Sequence, residues 1–178
     1  MNKLTKFAVI ADPHYYSEKL GCTGEAYERR AGSDQKMLAP SKGTIEAAFK
    51  KILESAHIVV MNKEEATMTT GIHVRPDTKI EKFSHELIHT DIKQMLKALK
   101  IKDYQVVVIT DGNKGAYAYE GKNFYYCPIF PSEVISTLGA GDAFASTFCA
   151  TLFKNNKNIG NALMYGSVNS SSVVSKFG

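Results

Sequence analysis

The sequence predicts an α/β fold, a three-layer α/β/α sandwich around a mainly parallel sheet. Short apolar runs of strand type alternate with longer segments whose apolar residues recur at the helical period, and such alternation puts helices on both faces of a parallel sheet. The polar and glycine-bearing motifs follow directly on those runs, as expected where ligands bind beyond strand C-terminal ends. Size agrees, because 178 residues with 44% hydrophobic content can bury a substantial core yet are short for two full domains.

In chain order, Phe7–Ala11 reads as a buried strand, and Ile45, Ala48, Phe49, Ile52 and Leu53 keep helical spacing. His57–Met61 is a second strand. Ile88, Ile92, Met95, Leu96 and Leu99 mark a helix, and Gln105–Thr110, with Val106-Val107-Val108-Ile109, is the clearest strand. Ala116–Tyr119 and Asn123–Cys127 flank Glu120-Gly121-Lys122 as a hairpin. Phe144, Phe148 and Leu152 line one helix, while Ile159, Ala162, Leu163, Gly166, Ser170, Val173 and Val174 line the last.

Chemistry concentrates in Ser136-Thr137-Leu138-Gly139-Ala140-Gly141-Asp142, a small-residue turn entering the Phe144 helix. Gly139, Ala140 and Gly141 leave the backbone bare, so N–H groups at a helix N-terminus can face an anion, and Asp142 in that first turn can take a proton from an attacking hydroxyl. The structural alternative is a glycine turn followed by a carboxylate that complements the helix dipole. Asn62 and Glu65 likewise have the spacing of a capping box, and Thr110-Asp111-Gly112 that of an ordinary strand-end turn.

Two further patterns suggest metals. Asp12 and His14 form D-x-H at the end of the first apolar run, where a carboxylate and an imidazole can share one cation. His85-Glu86-Leu87-Ile88-His89 matches H-E-x-x-H, but no histidine follows His89 to serve as a third zinc ligand, so a solvated helix start is the better reading.

A net charge of +4 with scattered lysines does not indicate nucleic-acid binding and suits small anionic ligands. Cys22, Cys127 and Cys149 include no C-x-x-C pair, which favours reduced thiols and a cytoplasmic setting over a disulfide framework. Phe7–Ala11 is too short for a signal peptide, and no stretch reaches transmembrane length, so no membrane partner is expected.

Taken together, Met61-Asn62-Lys63-Glu64-Glu65-Ala66, Thr110-Asp111-Gly112-Asn113-Lys114-Gly115 and the G-A-G-D turn resemble, in the same order, the C-terminal half of PfkB, or ribokinase-like, carbohydrate and nucleoside kinases over about residues 54–178. The chain departs from that family in carrying Ser136-Thr137 where Asp-Thr is frequent. The resemblance implies a truncated ribokinase-like fold, ATP and Mg2+ as cofactors, and phosphoryl transfer to a sugar or nucleoside hydroxyl. It implies Asp142 as base with Gly139, Ala140 and Gly141 as anion hole. Asn62 and Glu65 would arrange magnesium, Thr110, Gly112 and Gly115 would approach the nucleotide phosphates, and Asn169 would lie near adenine.

Residues 1–50 resemble instead the start of a calcineurin-like metallophosphoesterase, which implies a metal on Asp12 and His14. The sequence divides on this reading into a segment 1–53 and a kinase-like region 54–178, within one compact unit. Three functions are thus expected in order of support: an ATP-dependent kinase impaired by loss of its acceptor-binding half, a metal-dependent phosphoesterase, and a non-catalytic nucleotide-binding protein. An apolar surface left where the missing half would pack predicts homo-oligomerisation.

Overall fold

A computed structural model describes residues 50–75, 88–154 and 158–176. The expected strand Phe7–Ala11, the D-x-H pair Asp12 and His14, and His85 and Glu86 of the H-E-x-x-H pattern lie outside the described residues. Residues 50–55 are helical and belong to a compact unit separate from the one that holds everything from Ala56 onward. The following description concerns the second unit.

Its elements are β1 (Ile58–Asn62), α1 (Lys63–Thr70), α2 (Thr90–Leu99), β2 (Val106–Thr110), a 3-10 turn (Gly112–Lys114), β3 (Ala116–Tyr119), β4 (Phe124–Cys127), α3 (Ala140–Lys154) and α4 (Ile159–Val174). The strands lie in the order β1-β2-β3-β4. β1 and β2 are parallel, whereas β3 is antiparallel to both β2 and β4. The described part of the sheet is therefore mixed. Parallel neighbours need a long crossover, here α1 and α2, but the tight turns after Thr110 and Tyr119 reverse the chain and make antiparallel pairs the available outcome.

Alternation along the strands sorts side chains to two faces. Ile58, Val108, Ala116 and Ala118 pack with Phe144, Phe148 and Leu152 of α3 and with Ile159, Ala162 and Leu163 of α4. The opposite face carries Val59, Met61, Val107 and Ile109, all buried. There α1 rests on β1 and β2, and α2, with Ile92, Met95, Leu96 and Leu99 buried, rests on β2 and β3. Lys93 and Lys97 of α2 lie over the Phe124 ring, fixing that helix to the face away from Tyr125. The helical periods of α2 and α3 fall where the sequence puts them, whereas on α4 the buried stripe runs from Ile159, Ala162, Leu163 and Gly166 into Ser167 and Ser171, and Ser170, Val173 and Val174 are half-buried.

Gln105 does not open β2 as its apolar neighbours suggest. It is fully buried; its amide donates to Ala56 O (2.9 Å) while its side-chain oxygen accepts the Ile101 and Lys102 N–H groups (2.8 Å each). A buried amide so satisfied stabilises rather than costs, and it ties the approach of β2 to that of β1. At the start of α2, Arg75 donates through its backbone N–H and its guanidinium to the buried Asp91 carboxylate. Those hydrogen bonds hold the Asp91 pKa down at about 2. His89 is the N-cap of this helix, its Nδ1 accepting the Asp91 N–H at 3.1 Å. His89 thus stands at the boundary of α2, outside the helix, as a capping residue with Nδ1 engaged.

Candidate active site

Register puts Asn62 opposite Thr110, Thr110 opposite Ala116 and Ala116 opposite Cys127. Two reversals make β4 run the same way as β1 and β2, so all three end at one sheet edge. Beyond Cys127 the chain follows α4. Ser167 Oγ donates to Pro128 O (3.1 Å), Ser171 Oγ to Phe130 O (2.8 Å), and the N–H groups of Ile135 and Ser136 donate to Val174 O (2.8 and 3.1 Å). From Ser167 to Val174 a helix advances about 10 Å at 1.5 Å per residue. α4 therefore carries the strap past the edge, and the glycine turn stands beyond the same ends as Asn62 and Thr110.

Gly139 takes φ +76°, open to glycine, and α3 starts at the next residue. The Ala140 N–H donates to Thr137 O (3.3 Å) and the Ala143 N–H to Gly139 O (2.9 Å). The N–H groups of Gly139, Gly141 and Asp142 have no acceptor among the described residues, so of the expected anion-hole members Ala140 is the one whose donor is engaged. Gly141 and Asp142 are exposed, and Leu138 before the turn is 87% exposed. A Cβ built on Gly141 meets nothing within 4 Å. Folding thus does not require glycine there, although glycine in a helix costs up to about 1 kcal/mol relative to alanine.

Asn62 and Glu65 form a complete capping box: Asn62 Oδ1 accepts the Glu65 N–H (2.7 Å) and Glu65 Oε2 accepts the Asn62 N–H (2.9 Å). The pair is held at the start of α1 with its oxygens at the sheet edge. Beside it, Lys63 forms an ion pair with Asp111, which the motif reading had not singled out. Burial, then the Asp111 carboxylate, then Tyr126 raise the nearby Tyr117 hydroxyl to about 12.

In the second loop, Thr110 Oγ1 donates weakly to Met61 O (3.4 Å), and Gly112 is exposed at φ +50° with nothing near a built Cβ. Gly115 differs. It is buried, and a Cβ would lie 2.2 Å from Cys127 O, so its glycine serves the close passage of β4 rather than a bare face toward a ligand. Asn169 donates to Ala143 O (3.2 Å) and Thr147 Oγ1 (2.8 Å). Its amide nitrogen thereby joins α4 to the first turns of α3.

The sequence model of the pfkB family carbohydrate kinases matches residues 10–178. The chain is 33% identical over 123 residues to 5-dehydro-2-deoxygluconokinase of Shouchella clausii, covering 68% of this chain and 32% of that one. It is 33% identical over 104 residues to cytidine kinase of Thermococcus kodakarensis, covering 57% and 31%. A candidate ribokinase II of E. coli, in complex with ATP and Mg2+, superposes with a TM-score of 0.58 at 21% identity, covering 78% of this chain and 39% of that one. The chain spans about a third of the length of those two curated relatives. The match begins ahead of Asp12 and His14, so the kinase resemblance read from about residue 54 extends back to residue 10, and the separate phosphoesterase-like beginning finds no support.

Proposed function

This chain belongs to the pfkB family of carbohydrate kinases, and on that footing we propose that it binds ATP with Mg2+ and transfers the γ-phosphoryl group to a hydroxyl of a sugar or nucleoside. One observation carries the reading: beyond a single sheet edge, three N–H groups without acceptors, those of Gly139, Gly141 and Asp142, stand beside the exposed Asp142 carboxylate and within the same end of the fold as Asn62, Thr110 and Gly112. Relatives of this chain include kinases named for a sugar acid and for a nucleoside.

In the proposed reaction the N–H groups hold the γ-phosphoryl oxygens, where charge develops in the transition state. The acceptor hydroxyl oxygen bonds to the γ-phosphorus, its proton passes to Asp142, the bond to the β–γ bridging oxygen breaks, and ADP leaves. Asn62 and Glu65 offer hard oxygen donors. Two such donors suit an ion that keeps waters and phosphate oxygens as its other ligands. Mg2+ held there would neutralise phosphate charge. Thr110 and Gly112 line the nucleotide side, and Asn169 acts through α3 by fixing the turn that bears Asp142.

No helix among the described residues is long and apolar enough to cross a membrane. Free thiols at Cys127 and Cys149, together with the use of ATP, support a cytoplasmic setting for the proposed enzyme. Phe130, Val134 and Leu138 stand exposed on the strap, and self-association through them should appear as a rising sedimentation coefficient with concentration.

The test is calorimetric titration of Mg·ATP into wild type and Asp142→Asn, followed by transfer assays on a panel of sugars, sugar acids and nucleosides. Both proteins should bind nucleotide, and only wild type should transfer phosphate, with at least about a hundredfold loss in the variant. Folded wild type that binds no Mg·ATP, or a variant that turns over normally, would sink the proposal.

A further inference from the structure

The strongest unexplained feature at the sheet edge is the Lys63–Asp111 ion pair. It joins residues 48 apart in sequence, with side chains only 23% and 10% exposed. Lys63 is the first residue of α1, where a cation opposes the helix dipole. Capping does not need it, since Asn62 and Glu65 complete the box between themselves. Its place is explained by Asp111. That residue closes the second loop with its backbone, donating its N–H to Gly115 O (2.8 Å) and accepting the Lys114 N–H (2.9 Å), while its carboxylate reaches across to α1.

The geometry follows from register. Asn62 and Thr110 are the last paired residues of parallel strands, so the next residues, Lys63 and Asp111, continue the ladder with side chains after the backbone pairing ends. We propose that Lys63 and Asp111 are positioning residues, a charged latch that holds loop 110–115 against the start of α1 so that Thr110 and Gly112 face the same nucleotide as Asn62 and Glu65. The latch rests on the kinase reading for its purpose but not for its existence. Neither side chain transfers a proton or contacts the reacting atoms; each acts by fixing the loop that carries the other motif.

The experiment is a double-mutant cycle on the full chain with Lys63→Met, Asp111→Asn, the two combined, and the charge reversal Lys63→Asp with Asp111→Lys. Two readouts are taken: backbone amide NMR shifts of residues 62–66 and 110–115 without nucleotide, and Mg·ATP affinity by titration. Each single variant should move amides in both segments and weaken Mg·ATP binding about tenfold, with the double no worse than the weaker single, because residues of one ion pair couple rather than add. Charge reversal should restore affinity to within about threefold of wild type, a rescue that loss of general stability would not produce. Lys63→Met weakening binding while Asp111→Asn leaves it intact would make Lys63 a direct phosphate contact and overturn the latch, as would effects that multiply. If wild type itself binds no Mg·ATP, the kinase reading fails and the amide shifts alone decide: disturbance of both segments by each variant upholds the latch, and disturbance confined to the mutated segment refutes it.

Discussion

Gly141→Ala separates what folding asks of the glycine turn from what a ligand asks. Position 141 is the second residue of α3, its φ is outside the left-handed region, and an added Cβ meets no atom within 4 Å. Alanine should therefore lower the backbone entropy lost on folding and stabilise the protein by about 0.5–1 kcal/mol. For a chain of this length that raises the melting temperature by about 1–4 °C. A phosphate drawn onto the Gly139, Gly141 and Asp142 N–H groups would meet the new methyl. Loss of one charge-assisted hydrogen bond, worth about 1.5–3 kcal/mol, then weakens Mg·ATP binding roughly 10- to 150-fold. Thermal unfolding by circular dichroism, without and with Mg·ATP, reads both effects in one experiment. The expected outcome is a higher apo midpoint together with a smaller nucleotide-induced rise. A variant that gains stability and keeps the full nucleotide-induced rise would refute the phosphate seat, and one that is destabilised without ligand would refute the backbone argument.

Gly115→Ala should do the opposite, costing about 2–4 kcal/mol in denaturant unfolding, because its Cβ would collide with Cys127 O at 2.2 Å and its φ is +99°. Phe148→Ala, which empties the centre of the cluster between the sheet and α3–α4, should lower the unfolding free energy by about 3–5 kcal/mol, read as a reduced urea midpoint at unchanged slope. Asp91 has a folded pKa near 2, below its ordinary 3.8, so its contribution is fully present above pH 3.8 and is lost as pH falls toward 2. Asp91→Asn should flatten the stability profile across that window, and an unchanged acid limb would show that the Arg75 contact carries no linkage.

Much of the fold is legible locally. α2 was readable from Ile92, Met95, Leu96 and Leu99, and the hairpin from Glu120-Gly121-Lys122, because burial on one face repeats at a fixed interval along the chain. The capping box of Asn62 and Glu65 was readable for the same reason, three residues being within reach of one helix turn. Lys63 had a faint signal, a cation at a helix start without a local partner. Ser171 had none, since a polar residue on a helix of small residues looks the same whether it faces solvent or a neighbouring backbone, and Asn169 stands out only through the family resemblance.

What the sequence by itself determined is the four described strands, the helices α2 to α4, and the kinase motifs with their order, all written in spacings of a few residues. Tertiary structure alone decided that β4 runs with β1 and β2, that α4 carries the strap past the sheet edge, and that Gly115 and Asn169 brace while Gly141 stands bare. The physical reason is range. Periodicity and capping are set by neighbours within a turn, whereas pairs such as Lys63 and Asp111 or Ser171 and Phe130 meet only after register and packing have brought distant segments together.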